Sequence, residues 1–167
     1  MPRNLLSKTL PIALALFSFC TWNSAMVAAQ DGAIKLPNGW QKLDAKYFSI
    51  YAPPGWKFHK LTGIDSYVGE FVGDGIRLTF DYGQYSNSLP TDAKEPACAV
   101  VEEQVGGHLA KIVNPKVPGH GVIAIYFRDV GDTDGLYIYG RDFSASQQQT
   151  ALMMFRTIRF RAALTQH

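Results

Sequence analysis

Cysteine is nearly absent from this chain: Cys20 and Cys98 are the two among 167 residues. Only Cys98 lies beyond the N-terminal segment, so no internal disulfide can staple the fold once that segment is removed. A catalytic thiol wants a histidine and cationic surroundings. Cys98 instead follows Ala97, precedes Ala99 and Val100, and has Glu102 and Glu103 close behind. A small apolar role suits that setting better. Histidine is also sparse. His59, His108, His120 and His167 show no ligand spacing, and no metal site is expected. Gly106-Gly107 lacks the lysine motif of a phosphate loop, and no cofactor is expected. No apolar run approaches the roughly 20 residues of a membrane-spanning helix. The longest, from Leu10 to Phe19, is about half that length.

That short run belongs to a recognisable start. Arg3 and Lys8 precede it, and Val27-Ala28-Ala29 supplies small residues before Gln30. A charged beginning, a short apolar stretch and small residues before a cut predict a secretory signal over 1–29. The expected location is outside the cytoplasm, periplasmic or secreted. Cys20 follows the apolar run as a lipid-attachment cysteine would, but Phe19 stands where such a signal needs a small residue. Plain cleavage is therefore the reading. The chain has 16 basic and 14 acidic side chains. Losing Arg3 and Lys8 leaves fourteen of each, and a neutral domain lacks the positive field of a nucleic-acid binder.

Beyond a short leader at 30–38, residues 39–162 read as one α+β domain, with 163–167 as a tail. Gly39 to Leu43 can start a first strand. Tyr47 to Ala52 alternates, with Phe48 and Ile50 on one face, and Pro53-Pro54-Gly55 ends it. Trp56 to Leu61 alternates again. Ser66–Gly73 and Ile76–Tyr82 flank Asp74-Gly75, a pair that favours a two-residue hairpin turn. Residues 83–97 read as a long polar loop. Val100–Val105 and His108–Val113 form a second hairpin around Gly106-Gly107, a helix over 97–105 being the alternative. Val122–Val130 and Leu136–Phe143 form a third. Ser144 and Gln147 have the spacing of a capping box ahead of a helix, and Thr157–Phe160 is a last strand. The sum is a mostly antiparallel twisted sheet of about six or seven strands with a C-terminal helix packed on one face.

This order of parts resembles the PsbP-like fold. The residues carrying the likeness are Phe48-Ser49-Ile50-Tyr51-Ala52-Pro53-Pro54-Gly55-Trp56 at the start and Leu152 to Phe160 at the end. It would cover most of 40–160. The resemblance implies a binding scaffold and carries over no functional residue.

The candidate site joins Asp65, Ser66 and Glu70, from the stretch Thr62 to Phe71, with Asp81-Tyr82-Gly83-Gln84-Tyr85-Ser86. A two-residue turn at Asp74-Gly75 sets Asp81 opposite Val68. Asp65, Ser66, Asp81, Tyr82 and Tyr85 are then expected near the open end of that hairpin, where carboxylates and hydroxyls can hold a polar ligand. The alternative is structural: Asp65 as an Asx-turn carboxylate and Asp81 as an anchor for the following loop. A serine–histidine–acid triad of Ser66, His59 and Asp81 has no nucleophile-elbow pattern behind it. The Asp-x-Asp-Gly at 132–135 lacks both end ligands of an EF-hand and reads as a turn. The expected function is a non-catalytic binding or accessory module of the cell envelope for a small polar ligand or a protein partner. The alternative is a small carboxylate-dependent hydrolase at the same place.

Overall fold

The structure is a computed structural model that describes residues 35–84, 86, 97–131 and 134–161. The expected signal over 1–29, Tyr85, most of the 83–97 loop, Asp132 and Thr133 of the 132–135 turn, and the 163–167 tail lie outside the described residues. Ten strands and one helix follow in order: β1 Gln41–Ala45, β2 Phe48–Ala52, β3 Lys57–Lys60, β4 Tyr67–Gly73, β5 Ile76–Gly83, β6 Cys98–Val105, β7 His108–Pro115, β8 Val122–Phe127, β9 Gly135–Arg141, α1 Ala145–Arg156 and β10 Arg159–Phe160.

Where the sequence predicts a single sheet of six or seven strands, the strands divide into two. A seven-stranded antiparallel sheet has the order β3-β4-β5-β9-β8-β7-β6, and a three-stranded sheet has the order β1-β2-β10. The division follows from the last strand. β10 pairs with β2, setting Arg159 opposite Ser49 and Phe160 opposite Phe48. Both ends of the domain thus join in a small sheet of their own.

Local chemistry explains the hairpins. Asp74 and Gly75 have φ of 51° and 73°, so both central residues adopt the left-handed conformation that a type I′ turn requires. The β6–β7 turn at Gly106-Gly107 has the same character, with φ of 58° and 83°. Residues 98–105 form a strand, not the alternative helix, because that turn folds them directly onto β7. β8, with the sequence VIAIYF, is buried along its whole length. A continuous apolar run is what a strand covered on both faces needs. Its alternate residues divide by face: Ile123, Ile125 and Phe127 enter the main core, while Val122, Ala124 and Tyr126 join Val113 and Tyr137 in a second cluster.

The helix begins as the capping box predicts. Ser144 Oγ accepts from the Gln147 amide, and Gln147 Oε1 accepts the Ser144 N–H. The helix buries Gln148, Ala151, Met154 and Phe155, and its three apolar members share the main core with Phe48, Ile50, Phe71 and Phe80. Thr157 ends it. Its hydroxyl donates to Met154 O at 2.6 Å and accepts the Tyr51 N–H at 2.8 Å, fastening the helix terminus to β2. No helix among the described residues is long and apolar enough to cross a membrane.

Candidate functional site

The β4–β5 register pairs Tyr67 with Tyr82 at the open end of the hairpin, away from the turn. Paired residues of an antiparallel ladder project to the same face, so both phenols lie on the core side. The β1–β2 turn brings Tyr47 against them. Its ring stacks on Tyr82 with centroids 4.4 Å apart and meets Tyr67 edge-on at 5.4 Å. The Tyr67 hydroxyl accepts the Lys46 N–H at 3.3 Å, which fixes the turn to the hairpin. Two ammonium groups complete this wall: Lys46 Nζ lies 4.6 Å from the Tyr47 ring centroid and Lys60 Nζ 6.0 Å from that of Tyr67. The neighbouring Tyr47 phenol holds the Lys46 ammonium above its ordinary pKa.

These residues border an open cleft of about 860 Å³. The loop between β3 and β4 forms its other side, closed at its base where the Leu61 N–H donates to Val68 O. Asp65 and Ser66 line the cleft, with Ile64 fully exposed at the loop's crest. Tyr82, Gly83 and Asp134 border it as well. Four charged side chains meet here, Lys46, Lys60, Asp65 and Asp134, and none forms an ion pair among the described residues.

Of the residues picked from sequence, Asp65, Ser66 and Tyr82 line this cleft. Asp81 sits opposite Val68 as expected, but the two-residue period turns it to the other face of the sheet from Tyr82. There it faces Tyr137 in the ladder and accepts the Ser86 hydroxyl at 2.7 Å, the anchoring role of the structural alternative. Tyr85 is outside the described residues. Asp65 makes no hydrogen bond among the described residues, so its carboxylate does not close an Asx-turn.

His59 is drawn elsewhere. It pairs with Glu70 across β3–β4, its Nδ1 lying 3.4 Å from Glu70 Oε1, while Arg77 Nε lies 2.9 Å from Glu70 Oε2. Glu70 is buried, and this trio fastens the edge strand β3 to the sheet. The Ser66–His59–Asp81 triad does not form. Between β8 and β9 the Val130 N–H donates to Asp134 O, as a turn does. Among the described residues no cluster of three or more His, Cys, Asp or Glu side chains is arranged to hold a metal ion.

Lys46, Tyr47, Lys60, Tyr67 and Asp134 are charged and phenolic residues that border the cleft beyond those the sequence points to. The Tyr67–Tyr82 pairing was available from the same turn arithmetic that set Val68 against Asp81. The approach of Lys46 and Tyr47 has no local signal, because it joins two different sheets.

Tyr82 is 7% exposed, and burial, with the Asp134 carboxylate and the Tyr47 phenol adding to it, pushes its phenol above the ordinary value of 10.0. The folded state thus favours the neutral phenol. Its stabilising contribution is complete below about pH 10 and is lost as pH rises through the raised folded value. The urea midpoint is expected to fall above about pH 10, and to fall less steeply in Tyr82→Phe, which has no proton to lose. Identical slopes for the two proteins would assign the alkaline transition to other groups.

Comparison with protein-family models gives no match, and comparison with curated proteins gives none either.

Proposed function

We propose that this chain is an exported, non-catalytic binding module that holds a small polar ligand bearing charges of both signs in the cleft at the base of the β4–β5 hairpin. One observation carries the reading: two ammonium groups and two carboxylates border one open cleft beside three tyrosines, with no ion pair among the four. Charges left unpaired at a concave surface are available to a ligand, and tyrosine rings add apolar contact at little entropic cost. The signal-like residues 1–29 support export, and the likeness to PsbP-like domains supports a scaffold that binds.

The hydrolase alternative draws less support. Acid–base work at neutral pH wants a carboxylate whose pKa is raised by burial. The carboxylate predicted to act with Asp65 is Asp81, which is turned to the opposite face and bonded to Ser86. The buried carboxylate, Glu70, is held by Arg77 on that other face.

The test is an NMR titration of the purified protein with glycine, glycylglycine, acetate, methylammonium and glucose. Zwitterionic glycine or glycylglycine is expected to shift the amides of Lys46, Tyr47, Asp65 and Tyr67 more than the singly charged or neutral probes do. Lys60→Gln or Asp65→Asn is expected to weaken that response about tenfold while leaving the melting temperature within about 2 °C, as for exposed surface changes. Amides unmoved by every probe would sink the proposal. Asp65→Asn that lowers stability yet leaves the response intact would assign Asp65 to loop structure.

A further inference from the structure

The two edges of the seven-stranded sheet are built differently. β3 is four residues long and carries Lys57 and Lys60. Short length and lysine are the usual means by which an edge avoids pairing with another chain. β6, at the far edge, has eight residues, no lysine and no proline, and pairs with β7 without a bulge from Cys98 to Val105. Val100 and Val101 stand 50% and 49% exposed beside an exposed Ala99, and Leu109 on the next strand is 55% exposed.

The hydrogen-bonding phase of β6 follows from its turn. A two-residue turn makes Val105–His108 a hydrogen-bonded pair, so Val105, Glu103, Val101 and Ala99 direct their backbone groups to β7. The Lys116 N–H bond to Ala97 O keeps the same phase. Val100, Glu102 and Gln104 therefore present N–H and C=O groups to the outer edge, where no strand lies among the described residues.

We infer that β6 pairs antiparallel with β6 of a second copy of this chain, about a two-fold axis at Val100. In that register Val100 meets Val100 of the second copy, and Ala99 meets Val101 on both sides of the axis. The exposed Ala99, Val100 and Val101 side chains then cover one another. Glu102 comes opposite Cys98 of the second copy and never opposite a glutamate. The acids are also neutralised within their own chain, Glu102 by Lys111 at 3.3 Å and Glu103 by Arg156 at 2.9 Å. This self-complementarity is what an isologous interface requires, and it favours a second copy over a foreign strand. The cleft borders β3, β4 and β5, at the other end of the strand order, and stays open in the dimer.

Sedimentation of the purified protein tests this. A monomer–dimer equilibrium is expected with a dissociation constant in the micromolar range, because one strand pair buries less than the roughly 1,200 Å² of a standard interface. Val100→Lys places two ammonium groups at the axis and is expected to weaken the dimer at least tenfold. Ala99→Cys with Val101→Cys, on a Cys98→Ser background, puts the new thiols at facing non-hydrogen-bonded positions with Cα atoms about 4.5 Å apart. Oxidation is expected to give a covalent dimer, and this second design keeps the test valid if Val100→Lys misfolds. A protein monomeric up to about 1 mM, or a dimer that Val100→Lys leaves intact and the paired thiols fail to cross-link, overturns the inference.

Discussion

Phe80→Ala is expected to cost about 3–5 kcal/mol, the range for removing a fully buried phenylalanine ring. Phe80 has no exposed surface, and its ring contacts four others: Phe48 at 5.1 Å, Phe71 at 5.4 Å, Tyr67 at 5.5 Å and Phe58 at 5.9 Å. The backbone opposite offers nothing to fill the space. Phe80 pairs with Gly69, and the Phe58 and Phe80 rings close over that bare position so tightly that an added Cβ would lie 2.6 Å from Phe80 and 2.7 Å from Phe58. Glycine is there because two rings occupy the volume. Truncating one leaves a cavity bounded by aromatic rings that cannot collapse far. For a domain of this size the loss corresponds to a fall in melting temperature on the order of 10 °C. The change also reaches the cleft, because Tyr67 rests on Phe80 and its hydroxyl holds the β1–β2 turn. Under conditions where the variant remains folded, ligand-induced shifts at Lys46 and Tyr47 are expected to shrink as well. Urea denaturation measures the first effect and NMR titration the second. A loss under 1 kcal/mol would mean that the ring cluster is not the stabilising centre.

The parts legible in the sequence are those whose physics is local. Asp74-Gly75 announces its turn because few residues tolerate positive φ, and the turn fixes the whole β4–β5 register. Ser144 and Gln147 announce the helix start because each satisfies the other's backbone donor. The unbroken apolar run of β8 announces burial on both faces. The division into two sheets is not local. It depends on Phe160 meeting Phe48 across more than a hundred residues, and an alternating run of four residues does not say which strand it will join. The cleft shares this property. Asp65, Ser66, Tyr82 and Lys60 follow from neighbouring strand pairs, but the Tyr47 stack and Lys46 come from a turn of the other sheet that only the packed core brings against them. Asp81 carries the chemistry of a site residue, but the alternation that places Leu78 and Phe80 inward turns it away from Tyr82.

Trp56→Ala is expected to match Phe80→Ala in cost, about 3–5 kcal/mol, while leaving the cleft unchanged. Trp56 is 2% exposed and covers Gly73, where an added Cβ would meet its indole ring. Its N–H donates to Asp74 Oδ2 at 2.8 Å, and its carbonyl accepts from Gln41 Nε2 at 2.8 Å. Asp74 O in turn accepts from Gln147 in the first turn of the helix. The indole thus fastens the closed end of the hairpin to the β2–β3 connection, the Trp56 carbonyl ties that connection to β1, and the Asp74 carbonyl ties the turn to the helix. Trp56→Phe keeps most of the apolar bulk and drops the hydrogen bond, so about 0.5–1.5 kcal/mol of the loss is expected to remain in that variant. The closed end lies roughly 20 Å from Tyr67 and Tyr82, six residues of strand at about 3.4 Å each. The two alanine variants therefore separate stability from binding. Both should unfold at lower urea, yet only Phe80→Ala should blunt the response of Lys46 and Tyr47 while folded. If Trp56→Ala abolishes that response at a temperature where its fold is intact, the ligand does not sit at the open end, and the cleft is not the binding site.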